Sequence, residues 1–138
     1  MNVNFVINDT EKPLAEEEMS TFESEFSKAL PDSFKIYYLL HNGGFPEADY
    51  VRGEKNIFSI DGFIPIKYGL LPIERLIKDM LGPAPKGLYV PFANDSGGNI
   101  FYISLADNDY GQVYLVTAET SENIYVCSSF DEFLAGLF

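Results

Sequence analysis

The fold of this chain is decided by residues 88–127, which read LYVPFANDSGGNIFYISLADNDYGQVYLVTAETSENIYVC. Four apolar runs in this stretch are separated by short turns rich in Asn, Asp and Gly, a pattern typical of strands joined by tight turns. The predicted strands are Leu88–Phe92, Ile100–Leu105, Val113–Val116 and Ile124–Cys127. Because short turns join antiparallel neighbours, we expect a mostly antiparallel sheet.

Helical patterns lie on both sides of this strand region. Upstream, Met19, Phe22, Phe26 and Ala29 recur at helical spacing and predict a first amphipathic helix after Pro13. A second helix is expected from Pro31 to an Asn-Gly-Gly stop, because Gly adopts the left-handed conformation of a helix end. Two further helices are predicted, one from Pro72 to Met80 and one that begins with the capping pattern Ser129–Glu132 and continues through Leu137.

The remaining region between the second and third helices shows weaker signals. Residues 45–53 are predicted to be loop, and Ile57–Ile60 is predicted to be a short strand. With helices first, strands clustered later and a helix at the end, the sequence predicts the α+β class. A length of 138 residues fits one domain, which we take to be residues 1–138.

Charge restricts the class of partner. The chain has 21 Asp and Glu against nine Lys and Arg, a formal net charge of −12. This balance argues against nucleic acid, whose phosphates require basic side chains, and against an anionic membrane surface. Residues 87–138 contain seven acids and no Lys or Arg. Either a basic protein partner or a need for solubility would account for this acidity.

Cysteine content and apolar runs bear on the compartment. Cys127 is the single cysteine, so an internal disulfide is excluded and a reducing compartment is favoured. The start, Met1–Phe5, lacks the basic and long apolar regions of a signal peptide. No stretch approaches the roughly 18 apolar residues of a membrane span. We therefore expect a cytoplasmic protein.

No catalytic or metal-binding motif stands out. One His and one Cys, His41 and Cys127, lack the spacing of a zinc site, and Asp107–Gly111 departs from the calcium-loop pattern at its fifth and twelfth positions. The Gly-rich Asn94–Gly98 lacks the Lys and Ser or Thr of a phosphate loop. We expect no enzyme activity, no metal and no cofactor. A small hydrolase assembled by folding from His41, Cys127 or dispersed acids is the alternative.

Two segments together resemble a known family. They are residues 30–44, LPDSFKIYYLLHNGG, and residues 90–103, VPFANDSGGNIFYI, which is followed by GQVY at 111–114. In order and spacing over about residues 13–138, this set resembles the SUKH superfamily, which groups a yeast cell-wall synthesis regulator with many bacterial immunity proteins. The chain departs from the family pattern at Ser104, where Asp is frequent, and in having no Trp.

The resemblance implies both a fold and a function. The implied fold is α+β, with helices packed on a mixed or antiparallel sheet of about six strands, and residues 1–12 would form a loosely attached segment. For bacterial members the implied function is immunity, in which the protein binds and neutralises a toxin that is often a nuclease. The alternative is an intracellular scaffold that binds host proteins, as the yeast member does.

Within the family motif, one set of residues is expected to be structural rather than catalytic. The helix start and stop are Leu30, Pro31, Asn42, Gly43 and Gly44. The turn and strand register are assigned to Pro91, Phe92, Asp95, Gly98 and Asn99.

The expected partner is a basic toxin domain, bound by a chain that we expect to be monomeric. Acids in the turns between strands are the predicted interface, because a basic partner would be attracted to them. They are Asp95, Asp107, Asp109, Glu119 and Glu122.

Overall fold

The computed structural model describes residues 6–80 and 82–138. The helices are α1 (Glu16–Glu23), α2 (Asp32–Leu40), α3 (Ile73–Asp79) and α4 (Phe130–Ala135). The strands are β1 (Ile7–Asn8), β2 (Phe45–Pro46), β3 (Tyr50–Arg52), β4 (Ile57–Ser59), β5 (Gly62–Phe63), β6 (Tyr89–Asn94), β7 (Ile100–Ser104), β8 (Val113–Val116) and β9 (Asn123–Cys127). The α+β prediction is confirmed, and no helix in these two ranges is long and apolar enough to cross a bilayer.

The central sheet has five antiparallel strands in the order β5-β6-β7-β8-β9. The four strands predicted in residues 88–127 form its greater part; Val113–Val116 has the predicted bounds, and the ends of the other three differ by at most two residues. The central sheet has five strands, whereas about six were expected. The strand predicted at Ile57–Ile60 lies in a different sheet. It pairs as β4 with β3, and β1 pairs with β2 in a second two-stranded sheet.

Two local predictions need correction. Residues 45–53 are not all loop, since they contain β2 and β3. These strands are two and three residues long, too short for an alternating pattern to show them. The first helix ends at Glu23, so Phe26 and Ala29 lie beyond it. The Ser24 hydroxyl donates to the Thr21 carbonyl at 2.6 Å, offering that helix end a side-chain partner.

Aromatic rings fill the core between the inner face of the central sheet and the helices. Phe92 of β6 packs edge-on against Phe130 and Phe133 of α4, with ring centroids 5.1 and 4.9 Å apart. Phe101 of β7 lies 5.1 Å from Phe133, and Phe34 of α2 lies 5.5 Å from Phe130. Edge-to-face pairs of this kind stabilise a core beyond their buried area. They fix α2 and α4 against the sheet.

A proline interrupts a central strand without breaking it. Pro91 of β6 pairs with Tyr102 of β7, and the register shifts between Pro91 and Ala93. A bulge is where a strand tolerates a residue that cannot donate a backbone hydrogen bond. Phe92, at the shift, is fully buried. The fold therefore places Pro91 at a bulge and Phe92 in the core.

The outer face of the central sheet carries a row of tyrosines, one on each of four adjacent strands. The centroid distances are 6.0 Å for Tyr89 and Tyr102, 5.4 Å for Tyr102 and Tyr114, and 5.8 Å for Tyr114 and Tyr125. Met80 packs against the cluster that Tyr89 and Tyr102 form with Val116. These two tyrosines are buried, whereas Tyr114 and Tyr125 remain partly exposed.

Candidate functional site

The Asn-Gly-Gly segment after α2 is a buried junction and not only a helix stop. The Asn42 side chain donates to the carbonyls of Ile66 at 2.9 Å and Lys12 at 3.0 Å. Its carbonyl oxygen accepts from the Ile66 N–H at 2.8 Å. Asn42 is only 2% exposed. One side chain therefore ties the end of α2 to two distant segments.

The two glycines that follow are required by space and by backbone conformation. Gly43 has φ +76°, and a Cβ there would lie 2.9 Å from the Cβ of Pro65. Gly44 has φ +100°, and a Cβ there would lie 2.7 Å from the carbonyl oxygen of Asn8. Its own carbonyl accepts from the Phe63 N–H at 2.8 Å. The segment lets β2 pass close beside the edge strand β5.

Asp95 organises the turn between β6 and β7. Its carboxylate accepts from the N–H groups of Gly97 at 2.9 Å and Asn99 at 2.8 Å, and from the Asn99 side chain at 2.8 Å. The Asn99 side-chain oxygen accepts from the Ala118 N–H at 2.9 Å, which ties this turn to the turn between β8 and β9. Asp95 is 9% exposed, so its geometry is that of a turn residue.

The antiparallel topology divides the five predicted interface acids between two ends of the sheet. The β6–β7 and β8–β9 turns lie at one end and carry Asp95, Glu119 and Glu122. The β7–β8 turn lies at the other end and carries Asp107 and Asp109. Strands of four or five residues span roughly 13–17 Å. The five acids therefore form two separate groups.

The acids within these groups differ in their surroundings. The Asp107 side chain is 96% exposed and pairs with Lys28, which lowers the pKa of Asp107 through that hydrogen bond. Asp109 is half-buried and accepts from the hydroxyls of Ser104 and Tyr114. Burial and this hydrogen bond raise the pKa of Tyr114 to about 12. Ser104, which stands where the family pattern often has Asp, therefore donates a hydrogen bond to Asp109.

A groove that the sequence did not predict lies beside the edge strand β5 and has a volume of about 660 Å³. Its apolar side chains, here called the groove floor, are Phe45, Phe63, Ile64, Pro65, Leu70, Leu71, Leu76 and Ile100. Its charged side chains, here called the acidic rim, are Asp9, Glu11, Asp61 and Asp79. No Lys, Arg or His is among the described residues that line it.

Three apolar side chains of the groove floor are largely exposed to solvent. Leu70 is 94% exposed, Leu71 is 63% exposed and Phe45 is 49% exposed. The ring of Phe45 lies over Gly62 of β5, where a Cβ would come within 2.9 Å of the ring. An exposed apolar patch with a polar rim is typical of an interaction site.

The loop that carries both leucines is anchored at its base by Glu18 of α1. This carboxylate accepts from the Ala15 N–H at 2.9 Å and also binds the Lys67 ammonium and the Tyr68 hydroxyl. The backbone hydrogen bond, followed by those from Lys67 and Tyr68, lowers the pKa of Glu18 to about 2. Glu74 accepts from the Lys67 N–H at 2.9 Å. The leucines therefore extend from a fixed base.

Short-range patterns do not reveal this groove. The four carboxylates of the acidic rim come from three separate stretches of sequence and meet only after folding. The signal present in the sequence is Leu70-Leu71 after Gly69, two adjacent apolar residues ahead of the helix that follows Pro72. Adjacent leucines in a turn cannot both face a core, because neighbouring side chains diverge.

The two residues weighed for hydrolase chemistry lie in packed surroundings. Cys127 is 2% exposed, its thiol donates to the Ser129 carbonyl at 3.4 Å, and burial raises its pKa to about 12. A neutral thiol is a poor nucleophile. The His41 ring lies 5.3 Å from that of Tyr37. Within residues 6–80 and 82–138, no three His, Cys, Asp or Glu side chains form a metal-binding group.

A protein-family model described as the SMI1 / KNR4 family (SUKH-1) matches residues 13–136. The match includes all four helices and the whole central sheet. It also includes Asn42 and the whole groove floor, whereas Asp9 and Glu11 of the acidic rim precede it. Comparison with curated proteins finds no match.

Proposed function

The chain belongs to the SMI1/KNR4 family (SUKH-1), and from this premise we propose that it is a non-catalytic immunity protein. In this proposal it binds a basic toxin domain with defined stoichiometry and blocks the surface that the toxin needs. The resemblance to bacterial immunity proteins supports this function. Neutralisation requires tight binding and no chemistry, which suits a chain whose one thiol is buried and neutral.

The observation that carries the proposal is the exposure of carboxylates in a region free of Lys and Arg. Residues 87–138 hold seven acids and no basic side chain. Five of these acids are exposed, namely Asp107, Glu119, Glu122, Asp131 and Glu132. Only Asp107 pairs with a Lys from elsewhere in the described residues. Such a surface attracts a basic partner over a distance and repels acidic ones.

A nuclease toxin fits this charge because its substrate is anionic. A surface that binds phosphates needs Lys and Arg, and a protein inhibitor can occupy it by presenting carboxylates. The expected complex forms rapidly at low salt and more slowly as salt screens the charges. The proposed partner is therefore a basic domain, and the proposed outcome is loss of its access to nucleic acid.

The proposal is tested with the toxin encoded beside the gene for this chain. The toxin domain is expressed in bacteria from an inducible promoter, with the chain or an empty vector supplied on a second plasmid. We expect growth only when the chain is present, together with a complex of defined stoichiometry on size-exclusion chromatography. A catalytically inactive toxin variant, used for purification, separates binding from toxicity.

Three results would contradict the proposal. One is a gene neighbourhood without a toxin, and another is a toxin that kills equally with and without the chain. The third is a purified chain that leaves the toxin's nuclease activity unchanged at a large molar excess. Recovery of host enzymes in place of a toxin would support the scaffold alternative.

A further inference from the structure

We propose that the groove beside β5 is the docking site for a segment of the partner that carries apolar anchor residues flanked by Lys or Arg. The inference concerns where and how binding occurs, and it rests on the proposed function for the partner's identity as a basic toxin domain. The groove floor supplies the apolar contact, and the acidic rim selects the charge.

The loop of residues 67–71, here called the leucine loop, supplies the most exposed apolar side chains of the groove. Leu70 and Leu71 extend into solvent at 94% and 63% exposure, although Lys67 and Tyr68 at the base of the same loop are held by Glu18. A backbone that is already held in place loses little conformational freedom when a partner covers the side chains that it presents. Burying leucines against an apolar anchor is then a favourable source of affinity.

The charges around the groove identify the chemistry of its occupant. Asp9, Glu11 and Asp61 lie within 4.0 Å of no basic group in the described residues. Asp79 pairs with Arg75 at 3.5 Å, but both side chains are about two-thirds exposed, so this pair is weak. A partner cation can therefore approach all four carboxylates. An anionic ligand would be repelled by them.

The groove also adjoins the acidic end of the central sheet. Gly98 of the β6–β7 turn lines the groove, and the neighbouring Asn99 accepts from the Ala118 N–H of the β8–β9 turn. That second turn carries the exposed Glu119 and Glu122. A basic partner seated in the groove would therefore have further carboxylates near it at this end. The charge favours such a partner over a second copy of this acidic chain.

The first experiment uses the full-length chain, labelled with ¹⁵N, and three synthetic peptides. One peptide is an amphipathic sequence of Leu and Lys, and the others replace its Leu by Ser or its Lys by Glu. We expect only the Leu and Lys peptide to bind, with amide shifts concentrated at Gly44, Gly62, Phe63 and Ile100. Equal binding of the Leu-to-Ser peptide, or shifts centred away from the groove, would overturn the inference.

Variants of exposed residues then test the groove without disturbing the core. The double variant Leu70→Ser/Leu71→Ser should weaken peptide binding at least about tenfold, since two leucines lose their apolar contact. The matched control is Leu40→Ser, because Leu40 is 65% exposed on α2 and does not line the groove. Equal losses in the double variant and the control would overturn the inference, as would binding of the chain to lipid vesicles or to itself through these leucines.

The same variants separate this inference from the proposed function. If the wild-type chain protects cells from the toxin and Leu70→Ser/Leu71→Ser protects equally at equal abundance, the groove is not the docking site, although the immunity function stands. If the peptide binds the groove but the wild-type chain gives no protection, the immunity proposal fails and the docking site stands. Loss of protection in the double variant, with protection kept in Leu40→Ser, supports both.

Discussion

Asn42 and Ile66 exchange two hydrogen bonds, as paired strand residues do, although one partner contributes a side chain. The side-chain oxygen of Asn42 accepts from the Ile66 N–H at 2.8 Å, and the side-chain nitrogen of Asn42 donates to the Ile66 carbonyl at 2.9 Å. Ile66 immediately precedes the loop that carries the exposed leucines. The end of α2 and the leucine loop are therefore held together by one buried side chain.

Replacing this side chain should destabilise the whole domain. Asn42→Ala leaves the N–H and C=O of Ile66 without these partners in a buried environment, and we expect a loss of about 2–4 kcal/mol in the free energy of unfolding. Urea denaturation followed by circular dichroism measures the change. The control is Asn108→Ala in the exposed β7–β8 turn, which should stay within about 0.5 kcal/mol of wild type. Equal midpoints for the two variants would show that the junction adds no stability.

Two glycines with positive φ should respond differently to substitution. At Gly98, φ is +82° and a Cβ would meet open space, so Gly98→Ala should cost only the conformational penalty of about 1–2 kcal/mol. At Gly44, φ is +100° and a Cβ would also lie 2.7 Å from the Asn8 carbonyl oxygen. Gly44→Ala should therefore have a clearly lower melting temperature than Gly98→Ala. The reverse order would contradict the close approach of β1 to this segment.

Glu18 should give the stability of the chain a specific dependence on pH. Its pKa is about 2 when folded, against an ordinary value of 4.5, because the folded state stabilises the ionised carboxylate. This contribution is present above pH 4.5 and is lost as the pH falls towards 2. Glu18→Gln should thus be less stable than wild type near pH 7, and the difference should vanish near pH 2.

Urea titrations of both proteins across this range test the Glu18 prediction. Glu16→Gln, an exposed change on the same helix, is the matched control and should leave the pH profile as in wild type. If the difference in the free energy of unfolding between Glu18→Gln and wild type stayed constant at every pH, the charge of the Glu18 carboxylate would not be the source of the stabilisation.

Local patterns predicted much of the fold because they reflect contacts that are close in sequence. The helical stripe and Asn-Gly-Gly stop located α2, and the alternation of apolar runs with turns located β6 to β9 within one or two residues. The strand Tyr50–Arg52, which pairs with the strand predicted at Ile57–Ile60, was missed because three residues are too few to show a periodicity. Asn42 was recognised as a helix stop, but its bond to Ile66 spans 24 residues and has no local signal.

The site was less predictable than the fold for the same reason. Acids in turns were identifiable, and Asp95 was assigned both to its turn and to the interface. Only the structure shows that its carboxylate is used inside the turn while Glu119 remains exposed. It also does not show that alternate turns of an antiparallel sheet lie at opposite ends until the strand order is known. The groove draws its acidic rim from segments separated by up to 70 positions, between Asp9 and Asp79. Those contacts exist only in the folded chain.

Asp107 and Asp109 were both predicted as interface acids, but reversing their charges should affect the stability of the chain differently. Asp107 is exposed and, among the described residues, its side chain bonds only to Lys28, so Asp107→Lys should change the free energy of unfolding by no more than about 0.5 kcal/mol. Asp109 accepts from the Ser104 and Tyr114 hydroxyls, and Asp109→Lys should cost about 1–3 kcal/mol. Thermal melts decide between these expectations. If both reversals are neutral, the Asp109 hydrogen bonds contribute nothing to stability.

Glu119 and Glu122 should govern the rate at which the chain meets a basic toxin. Both are exposed in the β8–β9 turn, so their charges act on an approaching partner more than on the packed complex. Glu119→Gln/Glu122→Gln should slow association by several-fold at low salt, leave dissociation nearly unchanged, and reduce the dependence of the association rate on salt. Surface plasmon resonance across a salt series measures these rates. Asp107→Asn, at the opposite end of the sheet, is the matched control. If that control slows association more than the double variant does, the toxin approaches from the other end, and the acids beside the groove do not guide it.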